Sequence, residues 1–348
     1  MMGILSRYDQ NVRKSSPAIS RRVTSVDVAR LAGVERSTVS LVLNGKAAGR
    51  VTPAVQALVW QAANQLGYLP NAAARTLRLG EPRAVALVVP QAVNPFFAPV
   101  LHGATVEARR RGHAVVLIDA EDDGAWRGRL LDTVSRQSVS GLLLWSALSD
   151  AELGSWRGRT VLIEDVRAGA PSVMLDVEGG AQQAARHLVQ LGHRRFGHLA
   201  GRSSHPTFTR RKEAFLQTLR EEAVGFEWSE MDAPFDLDGA TRAAAELLRG
   251  PRRPTALFCD DDLLAAGAYK AARSLGLRIP ADVSVVGFND VPLARALEPE
   301  LTTVAAEPDA LGMRAVATLL DLLEGLEVVP SMLVPRLVVR GSTASPAV

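Results

Sequence analysis

Thr24–Asn44 reads TSVDVARLAGVERSTVSLVLN, two short apolar-periodic runs flanking Ala32-Gly33-Val34-Glu35. Thr24 and Asp27 stand three residues apart, the spacing of a capping box in which each side chain meets a free amide of the first helical turn. Val28, Leu31 and Ala32 then fall at i, i+3 and i+4, which gives the first run one apolar face. Gly33 can take the positive φ that a sharp helix end requires. The second run turns Val39, Val42 and Leu43 inward and leaves Arg36, Ser37, Ser40, Leu41 and Asn44 outward. Two short helices joined by a glycine turn make a helix-turn-helix, whose second helix is shaped to enter a DNA major groove. A small helical subdomain that binds nothing is the plainer alternative at this point.

Charge sharpens the choice. Through Gly80, eleven Lys/Arg face only Asp9, Asp27 and Glu35, a net of +8; the whole chain carries +3, so the remainder carries −5. A basic head on an acidic body suits a polyanionic partner for the head alone. The 348 residues suggest two to three domains, and 47% hydrophobic against 22% charged residues supports sizeable cores. The single cysteine, Cys259, rules out an internal disulfide and a cysteine-cluster metal site, in keeping with a reducing interior. Residues 1–22 read as a disordered basic arm without the apolar centre of a signal peptide. No apolar run approaches the ~18–20 residues that span a bilayer. These features together predict a cytoplasmic protein.

Lys46–Arg50 reads as a flexible basic loop, and Thr52-Pro53 as the cap and first residue of a third helix ending near Leu66. Asn71–Arg78 is helix-prone but too short to stand alone in water. A segment that folds only against DNA and a partner copy has this character, and so does an ordinary linker. From Arg83 the texture changes to short apolar strands alternating with amphipathic helices. Strands are expected at 84–89, 114–118, 141–145, 160–163, 173–175, 196–199, 256–258, 283–287, 331–334 and 337–339. Helices are expected near 96–111, 125–137, 178–191, 209–223, 238–249, 262–275 and 308–324. This alternation means right-handed crossovers and doubly wound parallel α/β sheets. About ten strands are too many for one comfortable sheet, so two lobes share them, with a ligand cleft beyond the strand ends.

The chain resembles the lactose-repressor family of bacterial transcription regulators from about Val23 to Thr343. The ordered motifs that carry the resemblance are VTSVDVARLAGVERSTVSLVLNGK, LGYLPNAAARTLR, VVPQAVNPFFAPVLHG, HLVQLGHRRFGHLAG, RRKEAF, LGLRIPADVSVVGFND and PELTTV. The resemblance implies a DNA-binding headpiece at 23–70, a hinge helix and linker at 71–81, and a core at 82–343 like that of periplasmic sugar-binding proteins. Its N-lobe is expected at about 82–176 and 307–334, its C-lobe at about 177–304 and 335–343, with 344–348 a tail. It further implies a homodimer on pseudo-palindromic operator DNA, a small sugar-like effector in the cleft, no cofactor and no enzymatic activity.

Carried over by motif, Arg36, Ser37 and Ser40 fall where the recognition helix meets bases, and Thr38, Asn44 and Thr24, Ser25 and Val26 where phosphates are touched. Physics agrees, since arginine can grip guanine bidentately and hydroxyls reach phosphates. Leu41 replaces a residue often polar or basic in the family, which suggests contact with a thymine methyl. Glu35 replaces a common serine cap. It favours the helix dipole and repels nearby phosphate. Lys46, Arg50 and Tyr68 complete the expected headpiece contacts. Asn71 and Ala74 match hinge positions, and Leu77 matches the leucine that wedges into the minor groove and bends the duplex.

In the core, Arg211 falls where the family places its effector arginine, a fork suited to a hydroxyl pair or a carboxylate. Asn289 stands at a usual aspartate and Asp261 at a common asparagine, so acid and amide are exchanged. Asn94, Phe96 and Phe97 follow the first strand, where aromatic rings can stack on a ligand face. Asp119, Trp145 and Phe235 join the candidate pocket by strand-end position, or belong to core and rim. Asp260-Asp261-Asp262 reads as a helix cap with one pocket ligand in preference to a metal site. His193 and His198 lack the further ligands of a zinc site, and the chain has no nucleophile elbow, phosphate loop or dinucleotide fingerprint. The rival reading is a solute-binding module without DNA function.

Overall fold

The computed structural model describes residues 23–43, 46–68, 83–120, 134, 139–145, 153–165, 170–203 and 205–347. The chain divides into two compact units, Met1–Gly80 and Glu81–Val348. In the first unit, α1 (Ser25–Ala32), α2 (Arg36–Leu43) and α3 (Pro53–Gln65) form a three-helix cluster. The Thr24 amide donates to Asp27 Oδ2 at 2.9 Å and its hydroxyl donates to the same oxygen at 2.6 Å, fixing the start of α1. Gly33 ends it with φ 66°, and the Val34 amide returns to the Ala29 carbonyl at 3.0 Å. Val28, Ala29, Val39, Val42, Val59, Ala62 and Ala63 make the small core. Leu31 is a correction: expected on the inner face, it is 46% exposed, and Ala29 takes its place against α3.

The second unit has two six-stranded sheets. The first runs β11 (Ser331–Leu333), β5 (Ser172–Leu175), β4 (Thr160–Ile163), β3 (Gly141–Leu144), β1 (Ala84–Val89), β2 (Ala114–Asp119), all parallel. The second runs β12 (Arg336–Val338), β10 (Thr302–Ala305), β9 (Ser284–Asn289), β8 (Ala256–Cys259), β6 (Arg195–Gly201), β7 (Glu227–Ala233). It is parallel except where β12 lies antiparallel to β10. The central strands are buried on both faces, as continuous runs such as Ala84–Val89 and Thr160–Ile163 require. Helices α4 (Phe97–Arg110), α5 (Val177–Gln190), α6 (Pro206–Glu222), α7 (Leu237–Leu248), α8 (Asp262–Ser274), the short α9 (Leu293–Ala296) and α10 (Pro308–Leu323) connect them.

Two strands had escaped the sequence reading. Glu227–Ala233 is an edge strand whose charges face outward, so its apolar signal is diluted to Trp228, Met231 and Ala233. Thr302–Ala305 is wholly buried, but half of it is threonine. Helix α6 starts at Pro206, three residues earlier than expected, because proline suits the first helical position and the His205 ring accepts from the Thr207 amide. Most of the helix expected at 125–137 lies outside the described residues. The body also continues past Thr343: the Ala344 amide and carbonyl both bond to Ser284 Oγ, at 3.0 Å each. Among the described residues, no helix is long and apolar enough to cross a membrane.

Candidate functional site

The outward surface of α2 presents Arg36, Ser37, Thr38, Ser40 and Leu41, with Val39 and Val42 anchoring the opposite side in the core. Arg36 Nε donates to Ser25 Oγ at 3.3 Å, so the start of α1 orients the guanidinium. Ser37 Oγ donates to Glu35 Oε2 at 3.0 Å, which occupies this hydroxyl until a phosphate or base displaces the bond. Thr24, Val26, Lys46 and Arg50 are exposed, while Ser25 and Tyr68 are half-buried. Asn44, Asn71, Ala74 and Leu77 lie outside the described residues.

In the second unit the order of each sheet reverses beside its first strand, β1 in one and β6 in the other. At such points the following loops part and leave a crevice beyond the carboxyl ends of the strands. A cavity of about 400 Å³ opens there. It is lined by all nine core candidates: Asn94, Phe96, Phe97, Asp119, Trp145, Arg211, Phe235, Asp261 and Asn289. They come from the ends of β1, β2, β3, β7, β8 and β9 and from α6. Phe96, Phe97 and Trp145 form an edge-to-face trio with centroids 5.1–5.4 Å apart, part core and part cavity wall. Asp119 Oδ2 accepts from the Ala92 amide at 3.0 Å and braces the loop after β1.

Asp261 joins the two lobes. Its Oδ2 accepts from Asn94 Nδ2 at 3.1 Å and from Asn289 Nδ2 at 3.0 Å, while Oδ1 caps α8 through the Leu263 amide at 2.7 Å. Burial pushes its carboxyl up to about 6 against these donors. Its two neighbours point elsewhere. Asp262 takes the Thr303 hydroxyl at 2.6 Å and the Val291 amide at 2.9 Å, and Asp260 Oδ2 takes the Gly201 amide at 2.9 Å. Asn289 itself is held at φ 111°, a costly conformation at the cavity edge.

Sequence reasoning missed Glu164, Arg202, Ser203, His205, Thr207 and Phe208, which also line the cavity. Glu164 is buried beyond β4, with Oε2 accepting from Thr207 Oγ1 at 3.1 Å across the cleft and Oε1 from the Leu175 amide. Desolvation raises its carboxyl to about 7. Only its strand-end position could have flagged it. Arg211 is 4% exposed and stacks on Phe288 with its guanidinium carbon 3.5 Å from the ring centroid. One of its terminal nitrogens donates to the Asp260 carbonyl.

A helix-turn-helix unit followed by a two-lobed body with a cleft of aromatic walls and a few convergent polar groups defines a ligand-binding DNA regulator. Residues 24–71 match the family described as bacterial regulatory proteins, lacI family, and residues 185–343 match a periplasmic binding protein-like domain. The chain is 32% identical over 305 residues to the ribose operon repressor of Haemophilus influenzae, covering 86% of this chain and 91% of that one. It is 30% identical over 329 residues to the transcriptional repressor CytR of Escherichia coli K12, covering 92% and 96%. The structure of the lac repressor dimer bound to operator and the anti-inducer ONPF superposes with a TM-score of 0.78 at 27% identity, covering 93% and 100%. A CelR–cellobiose complex superposes at 0.66 with 32% identity, covering 92% and 100%. The protein belongs to the lacI family of transcription regulators and is a DNA-binding repressor, not an enzyme.

Proposed function

We propose that this chain is a homodimeric, cytoplasmic repressor whose operator affinity is set by a small polar metabolite held in the cavity between its lobes. The observation that carries the reading is the convergence of strand-end residues from both lobes on one cavity, with Asp261 tying Asn94 to Asn289 across it. A ligand that displaces either amide changes how the lobes close. It shifts DNA affinity only by the difference in its binding to the competent and incompetent forms. The likeness to a CelR–cellobiose complex supports a sugar-like effector. On the DNA side, Arg36 reads a base, Ser37, Ser40 and Leu41 flank it, and Thr24, Ser25, Val26, Thr38, Asn44, Lys46, Arg50 and Tyr68 hold phosphates. Asn71, Ala74 and Leu77 form the hinge that enters the minor groove.

Melting the protein against a panel of sugars and nucleosides tests the effector half, because a ligand bound to the folded state raises its stability. A stabilising ligand should lose its effect in Asn289→Ala and Arg211→Ala. Equal stabilisation of both variants would place the ligand elsewhere.

A further inference from the structure

A row of alternating charges runs across β6, β7 and β8, buried at its His198–Asp260 end and open to solvent at Glu230 and Lys212. His198 and Asp260 are each 1% exposed, with His198 Nε2 3.2 Å from Asp260 Oδ1, a contact of charges without hydrogen-bond alignment. The other imidazole nitrogen lies 3.6 Å from Glu230 Oε2, and Glu230 Oε1 meets Lys212 Nζ at 3.0 Å. Trp228 and Phe258 flank the ring at centroid distances of 5.5 and 5.6 Å, so water cannot screen it. Burial works to lower the His198 imidazole, but Asp260 and then Glu230 outweigh it and raise the ring to about 9, which favours the cation at neutral pH.

Arg211 meets this row at Asp260. Only the main-chain carbonyl of Asp260 reaches it; the carboxylate is turned away to His198 and the Gly201 amide. Among the described residues, no carboxylate comes within ion-pairing distance of Arg211. Its Nε is buried without a hydrogen-bond partner although the residue lines the cavity. The acids nearby already hold donors: Glu164 from Leu175 and Thr207, and Asp261 from Leu263, Asn94 and Asn289. Asp260, Glu164, Asp261 and Asp262 act on Arg211 only from beyond pairing distance, and a buried cation with no anion bonded to it gains from a ligand that supplies one.

We propose that the His198–Asp260 pair sets the chemical class of the effector: by occupying Asp260 it leaves Arg211 to pair with an acidic group, a carboxylate or phosphate, on a sugar-like ligand. This rests on the cavity being the effector site and adds the charge of the ligand. His198 is a positioning residue that acts through Asp260 on Arg211.

The test measures binding of matched probes by calorimetry to the full chain: glucose against glucuronate, galactose against galacturonate, and ribose against ribose 5-phosphate. The carboxylate and phosphate arms separate the two acids. In at least one pair the acid should bind about tenfold or more tighter, a difference of about 1.4 kcal/mol or more. His198→Gln frees Asp260 to compensate Arg211 and should erase that preference. The double variant His198→Gln/Asp260→Asn leaves Arg211 unpaired again and should restore it, which a merely structural role for His198 would not do. If the single variant fails to fold, the double variant, neutral at both positions, still reports the preference. Neutral sugars binding as tightly as their acids, or none of the acids binding, overturns the inference. Neutral-sugar binding that changes operator affinity would overturn it while leaving the effector-controlled repressor intact.

Discussion

Glu164 occupies the cavity wall at φ 59°, a left-handed conformation that a side chain adopts only when its surroundings enforce it. Its carboxyl is raised from 4.5 to about 7, so the fold prefers the protonated form. Its contribution to stability is therefore complete below about pH 4.5 and is lost as pH rises through about 7. Glu164→Gln does not titrate and should gain on the wild type by roughly 2–3 kcal/mol between pH 5 and pH 8. Urea unfolding of both proteins across that range checks it, and parallel pH profiles would refute it. On the headpiece, Arg36→Ala should weaken recognition at one operator position by ~1–3 kcal/mol while other positions keep their preference. Binding to single-base operator variants reads this, and a uniform loss across all positions would reassign Arg36 to a phosphate. The two residues differ in legibility. Arg36 follows a glycine turn and a capping box, so its place on a recognition helix could be read directly. Glu164 ends a strand in a loop with no signature, and its role depends on Thr207 and Leu175, distant in sequence.

Helices α4 and α10 cross so closely that two glycines are indispensable. A Cβ on Gly103 would stand 2.0 Å from the Asp309 carbonyl oxygen, and one on Gly312 would stand 2.0 Å from that of Val100. Both obstacles are backbone, which cannot swing aside. Gly103→Ala should therefore destabilise the core by ~1–3 kcal/mol or more. Gly158→Ala, whose Cβ would meet nothing within 4 Å, serves as the control and should change little. Chemical denaturation separates them, and equal stabilities would mean that the helices part at little cost. Elements such as the continuous apolar run Ala84–Val89 and the periodic 308–324 were legible because burial on both faces or on one writes itself into the sequence. Glu227–Ala233 was not, since an edge strand needs polar residues to avoid further pairing. The glycine pair is invisible for a related reason: only the facing helix gives it meaning.

At the scale of the whole molecule, positive charge is gathered in the first 80 residues and negative charge in the rest. Duplex binding should therefore weaken steeply with salt, because each neutralised phosphate releases counterions. Affinity for random duplex measured at 50 and 200 mM salt should fall by about two orders of magnitude or more for several phosphate contacts. A flat salt response would mean that the headpiece charge does not face the duplex. The two-lobed plan and nine of the residues that line the cavity were legible from strand ends and motif order. The lobe-to-lobe bonds of Asp261 and the charge row that meets Arg211 were not, because both are made by side chains brought together only by the fold.

The central claim is that occupancy of the cavity governs the grip on DNA. The most direct measurement is operator affinity, by fluorescence anisotropy on a duplex selected from random sequence, with and without a ligand that raises the melting temperature. The wild type should shift its affinity about tenfold or more, the usual scale of coupling between sites, and Arg211→Ala should bind operator normally without shifting. A ligand that stabilises the wild type yet leaves operator affinity unchanged would contradict the account.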